Sequence, residues 1–188
     1  IVLIKNSQFK GEAYQLDITN HVQIEASTYA GWLYGLKSLQ QMLIRGKKVD
    51  PKQELPIQFR LPKLTIQDRP QHSWRGVMID VSRHFFSIDI LHKLVDRMSY
   101  YKLNKLHLHL SDDHGWRMEI KAYPNLTQVG AQSQVGGHPL MGEPKGYFTQ
   151  EQIKGLIAYA KNHNIEVIPE CDIPGHVYAA LAALHELN

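Results

Sequence analysis

NKLHLHLSDDHGWR, residues 104–117, changes character partway along. Leu106, Leu108 and Leu110 alternate with Lys105, His107 and His109. That is the period of a strand, with the leucines on one face and the two histidines on the other. Ser111, Asp112, Asp113 and His114 follow at once. An apolar strand that ends in ionisable groups can close a metal site, supply carboxylates for acid–base work, or simply enter a solvated loop. What flanks it decides among these.

Upstream, WRGVMIDV (74–81) is a mostly apolar strand. Ser87 then stands as the cap of a helix whose Leu91, Leu94, Val95, Met98 and Tyr101 make a single stripe. Downstream, Thr149 and Gln152 form a capping box for a helix carrying Ile153, Leu156, Ile157 and Ala160 on its face. IEVIPE (165–170) is a third strand, and another helix starts near His176. Strand–helix alternation of this kind builds a parallel sheet. No glycine-rich phosphate turn follows the first strand; SRHFFS does. Each strand instead ends in a polar cluster: Asp80, Arg83 and His84; Asp112, Asp113 and His114; Glu170, Asp172 and His176. In a (β/α)8 TIM barrel those ends line the active-site face, so the sequence predicts the first three strands of such a barrel, a partial one. The 111–148 connection carries Trp116, Tyr123 and Tyr147, enough for a wall over one side of a pocket or for an insertion with its own small substructure.

Residues 1–69 read differently. YQLDI (14–18) and VQIEA (22–26) alternate around Thr19-Asn20-His21, a hairpin. After Ser27-Thr28, Trp32, Leu36, Leu39 and Leu43 share a helical face, and Gly46 stands at its C-terminal end. Residues 47–62 read as a loop and KLTIQD (63–68) as a further strand. The expectation is a small α+β domain, incomplete at its N-terminal side, over 1–69, and a truncated barrel over 70–188, divided at Arg69-Pro70.

Composition narrows the function. Hydrophobic residues make up 43% and charged residues 21%, the balance of a globular chain. A net charge of +3 from scattered Lys and Arg argues against nucleic acid as a partner. No apolar run nears the ~20 residues that span a bilayer. The chain opens IVLIKNSQF, with neither Met nor a leader pattern, a start that processing or truncation would each explain. A single cysteine, Cys171, rules out an internal disulfide.

His-x-His at a barrel strand end is one way to bind zinc, but here it lies inside the strand, where His109 reads as a hydrogen-bonded core histidine. Asp112-Asp113 suggests a glycosidase pair, yet neighbours on extended chain point apart; one is expected to orient a partner and the other to support the loop. Pro174-Gly175 turns the chain so that His176 reaches the rim, where it could bond Asp112 as a carboxylate-oriented imidazole.

RGVMIDVSRHFFS, NKLHLHLSDDHGWRMEIKAYPNLTQVGA and PECDIPGH, in that order, resemble the β-N-acetylhexosaminidases of glycoside hydrolase family 20. EAYQLDI and VQIEASTYAGWLYGLKSLQQML resemble the small domain preceding their barrel. The resemblance implies retaining removal of terminal β-linked N-acetylhexosamine from glycans or chito-oligosaccharides. The substrate's own acetamido carbonyl is the nucleophile, a glutamate the acid and base, and the preceding aspartate the orienter of the acetamido group. No metal or cofactor is implied; a secreted, periplasmic or lysosomal setting is. By motif position, Asp112 and His176 are a catalytic supporting pair, Arg83 binds sugar hydroxyls, and Asp172 borders the substrate. Cys171 reads as a small, buried, inert side chain. One departure matters: the sequence holds no Asp-Glu dipeptide, the family's catalytic pair. Residues 1–188 are therefore expected to be an inactive fragment of an enzyme. The alternative is a noncatalytic sugar-binding or assembly module.

Overall fold

The computed structural model describes residues 1–45, 47–48, 59–132, 145–184 and 186. The chain forms two compact units: Ile1–Ser73 with Tyr100–Lys102, and Trp74–Ser99 with Leu103–Asn188. Among the described residues, no helix is long and apolar enough to cross a membrane.

The first unit is a four-stranded sheet with a helix on one face. Strands β2 (Tyr14–Ile18) and β3 (Val22–Ala26) form the expected antiparallel hairpin, and β6 (Leu64–Asp68) pairs with the other edge of β2. Strand β1 (Val2–Lys5) completes the order β1-β3-β2-β6 by lying parallel to β3. Its VLIK lacks polar alternation, which is why the pattern alone did not mark it. Helix α1 (Tyr29–Arg45) presses Tyr34 and Leu39 onto Tyr14, Leu16, Ile18, Ile24 and Ala26. Gly46 and residues 49–58 lie outside the described part, but the span read as a loop pairs at its ends, as β4 (Lys47–Lys48) with β5 (Phe59–Arg60).

The approach of α1 to the sheet depends on Gly31, on its inner face. A methyl group there would stand 2.7 Å from the carbonyl oxygen of Ala13, the residue before β2, and 2.7 Å from Ala26 Cβ in β3.

In the second unit, β7 (Gly76–Asp80), β8 (Lys105–His109) and β11 (Glu166–Glu170) form a parallel sheet with β8 in the centre. The strands lie side by side in the order in which the chain makes them. Helices α2 (Ile88–Tyr100) and α4 (Gln150–Asn162) share one core with Leu106 and Leu108 of β8. This is the first part of a (β/α)8 barrel. Burying each of these leucines fully contributes ~1.5–3 kcal/mol. The capping box at α4 forms as expected, with the Gln152 N–H on Thr149 Oγ1 at 3.1 Å and the Thr149 N–H on Gln152 Oε1 at 2.8 Å. Tyr101 departs from the predicted stripe. α2 ends at Tyr100, Lys102 turns at φ 58°, and Tyr101 is exposed.

The long connection builds a hairpin of β9 (Ser111–Asp112) and β10 (Gly115–Trp116), then the short helix α3 (Asn125–Gln128). Arg117 follows the hairpin and is fully buried. Its guanidinium donates to the carbonyls of Val81, Ser82, Ala131 and Gly146 at 2.7–3.2 Å and lies over the Phe85 ring. Gly115 makes room for it, since a Cβ there would fall 2.4 Å from Arg117 Cζ.

Gly31→Ala should cost about 1–3 kcal/mol, the usual penalty for overpacking a filled core. Denaturant unfolding of the variant beside the parent measures it. An unchanged midpoint would mean that α1 can shift away from the sheet without loss.

Candidate active site

Parallel register places three ionisable side chains on the last rung of the barrel sheet. Asp80 of β7 and Glu170 of β11 are both register partners of His109 in β8. All three stand on the face opposite the leucine core, because side chains alternate along a strand.

From this rung the site is assembled by short contacts. Asp80 Oδ1 accepts the backbone N–H groups of Ser82 and Arg83, each at 2.9 Å, which bends the chain as it leaves β7. Asp80 Oδ2 takes Arg83 Nη1 at 2.6 Å. The other arm of that guanidinium, Nη2, reaches Asp112 Oδ2 at 2.5 Å. Asp112 is 1% exposed, whereas Arg83 stays half open to solvent. His109, also buried, spans Asp112 Oδ2 at 2.9 Å and Glu170 Oε1 at 2.8 Å. Its neighbour on the same face, His107, pairs with the second oxygen of Glu170.

The hairpin fixes Asp112 from below, with the Asp113 N–H on Asp112 Oδ1 at 2.6 Å. His176 sits in the left-handed region at φ 56°, two residues before α5 (Tyr178–Ala183). Its Nδ1 lies 3.6 Å from Asp112 Oδ1 and equally 3.6 Å from Asp113 Oδ2. Asp113 also accepts the Tyr178 N–H at 3.3 Å, so it ties the hairpin to the start of α5. The Asp172 N–H donates to Ser111 Oγ at 3.0 Å. Peripheral to these, His114 Nδ1 is 3.9 Å from Asp112 Oδ1, and His84 packs on Phe86. Cys171, expected to be buried, is exposed, because it lies one residue past the last rung of β11, where the chain leaves the sheet.

Arg83, Asp112, Asp172 and His176 thus come together at one end of the sheet, with Asp113 as near to His176 as Asp112 is. Sequence reasoning grouped Asp80 and Glu170 with this end but treated His109 as core alone. The histidine is core and site at once, and the signal for it was the shared face of His107 and His109. Two triads, His109/Glu170/Asp172 and Asp112/Asp113/His176, each gather potential ligand atoms within 4.8 Å. The side chains of the second triad, and His109 and Glu170 of the first, are engaged in the hydrogen bonds and ion pairs just described, and the Asp172 side chain bonds Glu170.

Burial opposes charge on Asp112, but the N–H donors of His109 and Asp113 and the charges of Arg83 and His176 outweigh it, so this carboxyl titrates below the usual 3.8. Glu170 has the same balance, burial against its bonds with His109 and Asp172, and titrates below 4.5. Depressed carboxyl values add stability that is fully present above 3.8 and 4.5 and is lost as pH falls through the folded-state values. The denaturation midpoint of the protein should therefore fall as pH drops below about 4.5. Asp112→Asn should give a flatter acid limb; equal slopes would mean that Asp112 is not a linked group.

Comparison with known proteins identifies the family. The glycosyl hydrolase family 20 catalytic domain matches residues 72–188, and domain 2 of the same family matches residues 1–69. The beta-hexosaminidase of Porphyromonas gingivalis is 38% identical over 95% of this chain and 22% of its own length. The N,N'-diacetylchitobiase of Vibrio harveyi is 39% identical over 93% of this chain and 20% of its own. The chain spans about a fifth of the length of these curated relatives. Streptomyces plicatus N-acetyl-beta-hexosaminidase, solved with Thio-NAglucal, superposes with a TM-score of 0.84 at 39% identity, over 99% of this chain and 37% of that one. The Vibrio harveyi GH20 exo beta-N-acetylglucosaminidase, solved with N-acetylglucosamine, gives 0.84 at 33% identity, over 98% and 29%. With both of its segments matched in order, and its sheet ending in the same polar rim that the motifs foretold, the chain belongs to glycosyl hydrolase family 20.

Proposed function

We propose that the protein carrying this sequence is a retaining β-N-acetylhexosaminidase that works by substrate assistance on terminal β-linked N-acetylhexosamine of glycans or chito-oligosaccharides. Residues 1–69 form its accessory domain and residues 70–188 the first part of its catalytic barrel. The observation that carries this is Arg83. Its guanidinium is immobilised by Asp80 and Asp112 and still half exposed at the strand ends. A planar fork held in this way presents its remaining donors to paired hydroxyls of a terminal sugar at little entropic cost.

The acid/base glutamate and the aspartate that orients the acetamido group come from outside residues 1–188, since this sequence has no Asp-Glu. What the present residues supply is support. The carboxylates of Asp112 and Asp113 flank the His176 imidazole, each 3.6 Å from its Nδ1, and that ring in turn biases the glutamate's proton affinity. Asp172 borders the same space. The scheme uses no metal ion and no cofactor. The names of the relatives, and the N-acetylglucosamine in the Vibrio harveyi structure, support the substrate class.

In an enzyme of the relatives' length, Asp112→Asn should lower kcat on the order of 10- to 1000-fold and move the pH–rate profile. Arg83→Lys should chiefly raise KM for aryl β-N-acetylglucosaminides. Unchanged kcat and pH profile in Asp112→Asn would reduce the aspartate to scaffold. Residues 1–188 expressed alone should hydrolyse none of these substrates, because the proton donor is absent. Activity that survives repurification and shows a raised KM in Arg83→Lys would overturn that expectation.

A further inference from the structure

His109 poses a problem of donors and acceptors. Both of its ring nitrogens face carboxylate oxygens, Nε2 at 2.9 Å from Asp112 and Nδ1 at 2.8 Å from Glu170. An ionised carboxylate only accepts, and a neutral imidazole has one N–H and one lone pair. A neutral ring between two carboxylates would therefore set lone pair against lone pair at one end. The contacts are satisfied either by a proton on each ring nitrogen or by a protonated Asp112 or Glu170. Protonating Asp112 is opposed by Arg83 Nη2 on the same oxygen and by the Asp113 N–H on the other. Burial favours a proton on Glu170, but its bonds with His109 and Asp172 outweigh it and hold the carboxyl below the usual 4.5.

We propose that His109 is a positioning residue held as an imidazolium, its two N–H groups clamping Asp112 and Glu170 so that Asp112 meets Arg83 and His176 in one fixed orientation. The groups facing this cluster are Asp80 and Arg83 from the end of β7, His107 from β8, Asp113 and His114 from the hairpin, Glu170 and Asp172 from β11, and His176. Acids outnumber the fixed cation among them, so a charge on the ring is drawn rather than repelled. Burial opposes that charge, but the bonds to Asp112 and Glu170 and the charges of Asp80 and Glu170 outweigh it and push the ring above its usual 6.5. Stability from the clamp is therefore fully present below 6.5 and is lost as pH rises through the raised value.

The clamp also explains how Asp112 can be sealed from water while Arg83 remains available. Without His109, the shared Asp112 oxygen would depend on Arg83 alone, and sugar hydroxyls would compete for that same guanidinium. A charge-assisted bond to a buried carboxylate is among the stronger ones. The protonation state stands independently of the reaction; only its kinetic consequence rests on the hexosaminidase reading.

The test is nitrogen NMR of histidine side chains in the complete protein, labelled with 15N-histidine, in chelator-containing buffer. His109 is assigned by the signals lost in His109→Gln. Both of its ring nitrogens should be of the protonated type at neutral pH and lose a proton only above the ordinary histidine value of ~6.5. A pyridine-type nitrogen on His109 at neutral pH would overturn the proposal and put the proton on a carboxylate. Should His109→Gln fail to fold, Glu170→Gln serves both purposes. Its amide can donate to Nδ1 and also alters the His107 contact, so two sets of signals should shift; His107→Gln removes one, and the other, that of His109, should titrate in the ordinary range. That variant should also lower kcat/KM roughly 10- to 100-fold and displace the alkaline limb of the pH profile. A deprotonated ring with unchanged kinetics would refute the positioning role. A protonated ring in a protein without hexosaminidase activity would refute the proposed function and leave the clamp intact.

Discussion

A carboxylate sealed from water is expensive unless its charge is matched, and Asp112 is such a group. Everything around it can be read as meeting that demand. The hairpin turn brings the Asp113 amide to one oxygen, while β8 brings His109 and the end of β7 brings Arg83 to the other. Removing one partner would leave the remainder buried and unbalanced, so these residues behave as a unit and not as independent contacts. A site built in this way is held in place by its own contacts.

The unit exists because of the alternation along β8. Leucines on one face fasten the strand to α2 and α4, and this fixes where the histidines on the other face must stand. Parallel register then brings Asp80 and Glu170 level with His109 from either side. The core and the polar rim are two faces of the same five residues, and a one-residue slip would exchange them.

Much of this was legible in advance, because period and punctuation are local properties. The capping box at α4, the hairpin near Asn20 and the alternation of β8 are each set by neighbours in sequence. β1 was not legible, since a short apolar run with no polar alternation is defined by the strand it joins. Nor was the exposure of Cys171, which depends on where the strand stops. In the site, the polar clusters announced the rim, but the partners of each group did not follow from spacing. Asp113 being as close to His176 as Asp112 is results from a two-residue turn, and the bridging role of His109 results from register between strands far apart in sequence.

Arg117 has a different kind of consequence. One of its nitrogens, Nη1, binds both the Ala131 and the Gly146 carbonyl at 3.0 Å. The residues on either side of 132–145 are therefore held together at a single atom, whatever lies between them. Lengthening a segment whose ends are already joined is cheap, about 0.6 kcal/mol for each doubling. The same guanidinium also grips Val81 and Ser82, just before Arg83, so insertions in this connection need not disturb the strand end beside it. Changes of length between residues 132 and 145 can therefore leave the rim of the sheet as it is.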